Sequence, residues 1–249
     1  DLVFINGAEP ESLDPAVVTD QVGMRVVESL FEGLCRINAA GKPEPGMAER
    51  WEVSADKKRY TFYLRANAVW STGEALVAQD FVDSWQRALS PAFAADYAAQ
   101  LYLIQNARAF NEGKLTDFSQ VGVHALDSRT LVVALENPTP YFIDLCAFCT
   151  LSPVPMKVVK QYGTSWIKPG RLVGNGPYVL DSWLLDDRIV LKKNPRYWDA
   201  ENVKLASVDV LPISEPNTAI NYFVTGQADL IMDKGMVPSS LTAKLKQQP

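Results

Sequence analysis

Histidine is nearly absent from this 249-residue chain: His124 is the whole supply. Imidazole is the usual general acid or base near neutral pH, so a single copy removes many enzyme mechanisms before any motif is read. Cysteine is scarce too, at three: Cys35, Cys146 and Cys149. An odd number excludes a complete disulfide framework, and a chain of this length needs no covalent staple. Excess positive charge is missing. Twenty-four Lys and Arg stand against 29 Asp and Glu, a net of −5, so there is no electrostatic footprint for nucleic acid. No uninterrupted run of about eighteen apolar residues occurs, so nothing reads as a membrane span. The opening DLVFINGAEP has neither the charged n-region nor the apolar core of a signal peptide, as a mature processed chain would, which leaves the compartment open. Internal repeats and low-complexity linkers are also lacking.

What is present is ordinary globular material, 47% hydrophobic and 21% charged, with length for one or two domains. LVFIN reads as a buried strand, and Met24–Leu34 as a helix stopping near a glycine. Arg59–Arg65 alternates as a strand, and Ser71-Thr72-Gly73-Glu74 supplies a turn with Gly73 free to take positive φ. From Ala78 a helix is expected, with Phe81, Trp85, Ala88 and Leu89 on one face, Asp80 in its first turn and Pro91 after its end. Residues 93–113 read as a second helix, Thr130–Leu135 as a strand, and a short helix follows Pro138. A loop and a helix cover residues 152–163. Strands at Tyr178–Leu184 and Arg188–Lys192 are joined by the Asp186-Asp187 turn. A helix, a turn at Gly226 and a strand follow, and SSLTAKLKQQP begins a further helix. Strands and helices mixed without strict alternation indicate an α/β to α+β chain.

Few residues offer chemistry. Cys146-Ala-Phe-Cys149 has the spacing of a thioredoxin-like redox pair or half a zinc site. Zinc would need two more ligands, and only Cys35, His124 or unpatterned carboxylates could supply them. The motif ends an aromatic, apolar segment, so buried inert thiols are expected, with a local disulfide or a thiol-redox or metal role as the alternatives. His124 has no nucleophile context around it and reads as a strand or turn residue. Gly174-Asn175-Gly176 is too short for a phosphate loop and reads as a tight turn before a strand. Paired acids suit turns and solvated faces. Six tryptophans could line a cleft, but Trp70, Trp85, Trp183 and Trp198 sit in strongly patterned sequence and read as packing.

Several stretches together carry a resemblance: SLDP (Ser12–Pro15), LFEGL (Leu30–Leu34), the long block Pro45–Pro91, PTPYF (Pro138–Phe142), SPVP (Ser152–Pro155), GNGPYVLDSW (Gly174–Trp183), LKKNPRYWD (Leu191–Asp199) and LPIS (Leu211–Ser214). In this order the chain resembles the family-5 (cluster C) extracellular solute-binding proteins of ABC importers, and within them the oligopeptide binders. The resemblance implies a periplasmic-binding-protein-like lobe with a smaller α+β domain inserted, the second lobe missing. It divides the chain into a first piece of domain I (residues 1–31), domain II (residues 32–154) and a returning piece of domain I (residues 155–249), and it implies an N-terminal fragment.

The implied activity is capture without catalysis and without a cofactor. Two lobes would close on a peptide by hinge motion, hold it in strand-like fashion with water-filled side-chain pockets, and dock on a membrane permease. The protein would then be periplasmic or tethered outside the membrane, touching the membrane only through that permease. Ligand contacts carry over to Thr19, Asp20 and Gln21, with Thr19 where peptide binders carry a glutamate. They carry over also to Met232, Asp233 and Lys234, and to Tyr102 on an inward-facing helix. Other members bind nickel chelates, haem, opines or oligosaccharides, so those ligands stand as alternatives.

Overall fold

The computed structural model describes residues 1–238. Strand β1 (Leu2–Ile5) leads through the SLDP loop into helix α1 (Gln21–Leu30). Strands β2 (Cys35–Ile37) and β3 (Pro43–Pro45) pair as a small antiparallel ribbon. Next come β4 (Ala48–Val53), β5 (Arg59–Leu64), α2 (Ala78–Leu89), α3 (Ala107–Asn111), β6 (Val123–Ala125) and β7 (Thr130–Ala134). The four strands of this set form an antiparallel sheet in the order β4-β5-β7-β6. On β5 the alternation holds: Tyr60, Phe62 and Leu64 are buried while Arg59, Thr61 and Tyr63 turn outward. Helix α2 covers that buried face with Phe81, Val82, Trp85, Ala88 and Leu89. Asp80 Oδ2 accepts the Val77 N–H at 2.8 Å, occupying a backbone donor that the first turn leaves free. Trp85 is wholly buried and its Nε1 donates to the Leu151 carbonyl at 2.9 Å.

Helices α4 (Phe142–Leu145) and α5 (Met156–Tyr162) lead to the second sheet. It uses β8 (Tyr178–Leu184), β9 (Arg188–Lys193), β10 (Ser207–Leu211), then helix α6 (Pro216–Val224) and β11 (Leu230–Ile231). Its order is β11-β1-β10-β9-β8, with β1 parallel to both β10 and β11 and the other neighbours antiparallel. The first five residues of the chain are thus completed by strands more than two hundred positions away.

Four sequence expectations are corrected. The helix expected over Met24–Leu34 starts three residues earlier, because Asp20 Oδ1 accepts the Gly23 N–H at 2.6 Å, and it stops at Leu30 rather than near Gly33. The stop is imposed from a distance. The Leu30 carbonyl accepts the Gly176 N–H at 2.9 Å, and Asn175 brackets Glu32 by accepting its N–H and donating to its carbonyl. A Cβ on Gly174 would lie 2.1 Å from the Leu30 oxygen, so the GNG segment is glycine for close approach. The helix expected over residues 93–113 is broken: a 3-10 turn covers Ala98–Leu101, Asn106 is left-handed (φ +62), and α3 has five residues. There Gln105 N–H donates to Ala134 and Ile104 bridges Leu135, so the end of β7 takes backbone a helix would use. Strands β2, β3, β4, β6 and β10 were not expected as strands; β4 buries only Ala48, so it lacks the alternation that marks a strand. Finally, Gly174-Asn175-Gly176 is a docking segment rather than merely a turn. The helix expected at SSLTAKLKQQP lies outside the described residues.

Candidate functional site

The three parallel strands β10, β1 and β11 finish at one edge, the side of an open α/β sheet where ligands characteristically bind. Asn6 and Gly7 follow β1. Asn6 is 0% exposed: its N–H donates to the Leu211 carbonyl at 2.8 Å and its Nδ2 to the Val22 carbonyl at 2.9 Å. Those two bonds tie the end of β10 to the first turn of α1. After β11, Met232 N–H donates to the Ile5 carbonyl at 2.9 Å, and Asp233 Oδ1 accepts the Gly235 N–H at 2.8 Å. Asp233 lies directly on Gly7, where an added Cβ would fall 2.7 Å from the Asp233 Cβ.

At this edge Gly7 packs on Asp233, and Asn6 bonds Val22, the residue after the expected contact group Thr19–Gln21. Thr19 and Gln21 are exposed at the start of α1, and Asp20 is engaged as its cap. The Tyr97 hydroxyl donates to the Thr19 carbonyl at 3.4 Å. Met232 is exposed, Asp233 half-buried, and Lys234 opens the turn Lys234–Met236. Tyr102 is a correction: it stands at the end of a 3-10 turn, not on a helix. Its hydroxyl donates to Asn111 Oδ1 at 2.5 Å and its ring lies under Arg108, 5.0 Å from the guanidinium carbon.

Sequence reading missed Arg25. Its half-buried guanidinium reaches the strand edge, where Nη1 donates to the Asn6 backbone oxygen at 3.1 Å and to Asn6 Oδ1 at 3.0 Å. The only local sign was a charge one residue from the apolar face of an amphipathic helix, which ordinarily means solvent.

The family motifs themselves are occupied in packing. Asp14 of SLDP is buried against Arg87, accepting from both Nη atoms at 3.0 and 2.6 Å, and takes a third bond from Trp166 Nε1 at 3.1 Å. Glu32 of LFEGL meets the PRYWD segment: its carboxylate accepts from the Tyr197 hydroxyl and from Trp198 Nε1 at 2.6 Å. Burial raises the Glu32 carboxyl above the usual range, against the pull of those bonds and of Arg36 and Arg65. Burial and the Glu32 charge likewise push the Tyr197 hydroxyl up. Arg65 stacks on the Trp198 ring at 3.5 Å, and Arg36 bonds Asp199 at 2.9 Å and Glu44 at 2.7 Å. A cavity of about 370 Å³ beside this network is lined by Glu28, Glu32, Arg36, Cys149 and Asp199 among others.

Cys35, Cys146 and Cys149 are all free and buried, so no local disulfide joins the C-x-x-C pair. Burial, together with the neighbouring Cys35, lifts the Cys146 thiol well up, and burial pushes Cys149 to about 11. Neither has the lowered pKa a redox nucleophile needs. Trp70, Trp85 and Trp166 are buried. Trp183 and Trp198 are half-buried, with their Nε1 groups bonded to Glu9 and Glu32.

Comparison with known proteins agrees with this architecture. Residues 42–249 match the family described as bacterial extracellular solute-binding proteins, family 5 Middle. The chain is 41% identical over 249 residues to the periplasmic oligopeptide-binding protein OppA of Salmonella typhimurium, covering 99% of this chain and 45% of that one. It is 42% identical over 230 residues to the probable deoxycholate-binding periplasmic protein YgiS of Escherichia coli strain K12, covering 91% of this chain and 43% of the other. It superposes on the structure of Burkholderia pseudomallei OppA with a TM-score of 0.95 at 37% identity, over 100% of this chain and 48% of that one. The chain thus spans under half the length of each of these three relatives. Matched by sequence along nearly its whole length and by fold throughout, it belongs to the family-5 bacterial extracellular solute-binding proteins.

Proposed function

We propose that this chain supplies one face of the solute cleft of an ABC importer's binding protein, working in the periplasm or on the outer face of the membrane. The solute is a peptide, captured without chemical change and passed to a membrane permease. The observation that carries this reading is the carboxyl edge of β10, β1 and β11, where Asn6 bonds Val22 beside Thr19–Gln21 and Gly7 packs on Asp233. Thr19, Asp20, Gln21, Tyr102, Met232, Asp233 and Lys234 are the proposed contact residues. The proposed division into residues 1–31, 32–154 and 155–249 is supported by the sheets. The five-stranded sheet draws only on the first and last pieces, and the four-stranded sheet only on the middle one.

Calorimetry of the complete gene product against mixed di- to pentapeptides tests this directly. Heat that saturates with peptide supports it; no heat from any peptide, with binding of a sugar or metal chelate, overturns it. A second reading rests on the relative named a probable deoxycholate binder, at 42% identity. Saturable binding of deoxycholate in the same experiment, with peptides silent, would favour that reading.

A further inference from the structure

We infer that Arg25 is the anchor for a carboxylate of the bound solute and so selects acids over their neutral counterparts; this rests on the proposed binding function. Side chains on a helix lean toward its N-terminus, so Arg25, in the second turn of α1, carries its guanidinium back to the strand edge. There, among the described residues, it is held by Asn6 alone, through Nη1. Asn6 itself is buried and bonded to Leu211 and Val22. The guanidinium is therefore pre-positioned, which lowers the ordering cost of recognition.

Its charge is also unanswered. No carboxylate oxygen lies within 4.0 Å of Arg25 among the described residues, and its Nε and Nη2 N–H groups have no acceptor there. Asp20 and Asp233 each accept a backbone N–H through Oδ1, from Gly23 and Gly235, and neither bonds Arg25. Arg87 shows the contrasting case, a guanidinium closed at both Nη atoms by Asp14 of the same chain. Partial burial against neutral oxygens leaves Arg25 short of a counter-charge, and its open fork matches a carboxylate in bidentate geometry. Peptides and steroid acids both carry that group.

Calorimetry of the complete gene product, wild type against Arg25→Gln and Arg25→Lys, distinguishes the sources. The ligand pairs are trialanine and its C-terminal amide, Ala-Glu-Ala amide and Ala-Gln-Ala amide, and deoxycholate and its amide. Wild type should favour the acid in at least one pair by about tenfold to hundredfold. Arg25→Gln should erase that preference by weakening the acid far more than the neutral member, and Arg25→Lys should retain part of it. The pair in which the preference collapses identifies which carboxylate is held. An acid preference that survives in Arg25→Gln overturns the assignment, as does a wild type that binds peptides with no acid preference; the peptide reading survives both. A wild type that binds none of these ligands and none of the mixed di- to pentapeptides overturns both readings. Thermal melts confirm that the variants fold, and Arg25→Lys alone carries the comparison if Arg25→Gln does not.

Discussion

Asp14 looks in the sequence like one acid in a proline-ended loop, and in the fold it is the partner of a buried arginine. Side-chain exposures of 13% for Arg87 and 5% for Asp14 place the pair away from solvent screening. Asp14→Ala should cost about 3–5 kcal/mol, because it leaves Arg87 charged and unpaired in the interior. Urea unfolding measures this, and a loss under about 1 kcal/mol would mean the pair is not closed in solution. Glu32 offers a second test at this scale. Burial raises its carboxyl above the ordinary value, so the folded chain holds that proton more tightly than the unfolded chain. The stability it contributes is present below the ordinary carboxylate value and is lost as pH rises toward the raised one. Glu32→Gln cannot titrate, so its stability relative to wild type should climb across that interval. Unfolding series between about pH 4 and pH 8 should show the climb, and a difference independent of pH would contradict it.

At the scale of elements, the helices differ in how far they are local. Helix α2 was legible to the residue because Phe81, Trp85, Ala88 and Leu89 repeat on one face, with Asp80 at the start and Pro91 past the end. Helix α1 was legible as a helix but not at its ends, since the Gly174-Asn175-Gly176 segment decides where it stops. Gly174→Ala places a methyl against the Leu30 carbonyl and should destabilise by about 1–3 kcal/mol. Thermal denaturation reads this out, and an unchanged melting temperature would show that the two segments separate freely. Residues 93–113 were misread for the same kind of reason. Their apolar spacing suits a helix, but Gln105 and Asn106 find hydrogen bonds on the β7 side that outcompete it.

For the whole molecule, the thiols test how closed the interior is. All three are buried, and the two with raised pKa values stay protonated near neutral pH. A thiol reagent at neutral pH should react slowly with the native chain and quickly with all three cysteines once denaturant is added. Fast native labelling of Cys149 would mean that the adjoining cavity opens readily. On the surface, Phe223, Val224, Leu230 and Met232 are exposed large apolar residues on α6, β11 and the residue after it. Such neighbours favour association. Light scattering of the 249-residue chain should show concentration-dependent growth in mass, and a strict monomer at high concentration would argue against it.

The family, the mixed α/β class and most strands and helices were determined by the sequence by itself, because periodicity, turn residues and motif order are local properties. The candidate contacts at Thr19–Gln21 and Met232–Lys234 could be named from motif position alone. That Asn6 bonds Val22 at the start of α1 while Gly7 packs on Asp233 was decided only by the tertiary structure. β1 takes its neighbours from the far end of the chain, a pairing that no local pattern encodes. Arg25 illustrates the difference most sharply. In the sequence it is one charge on a helix. Its open guanidinium exists as a feature only once β1 has delivered Asn6 beneath it.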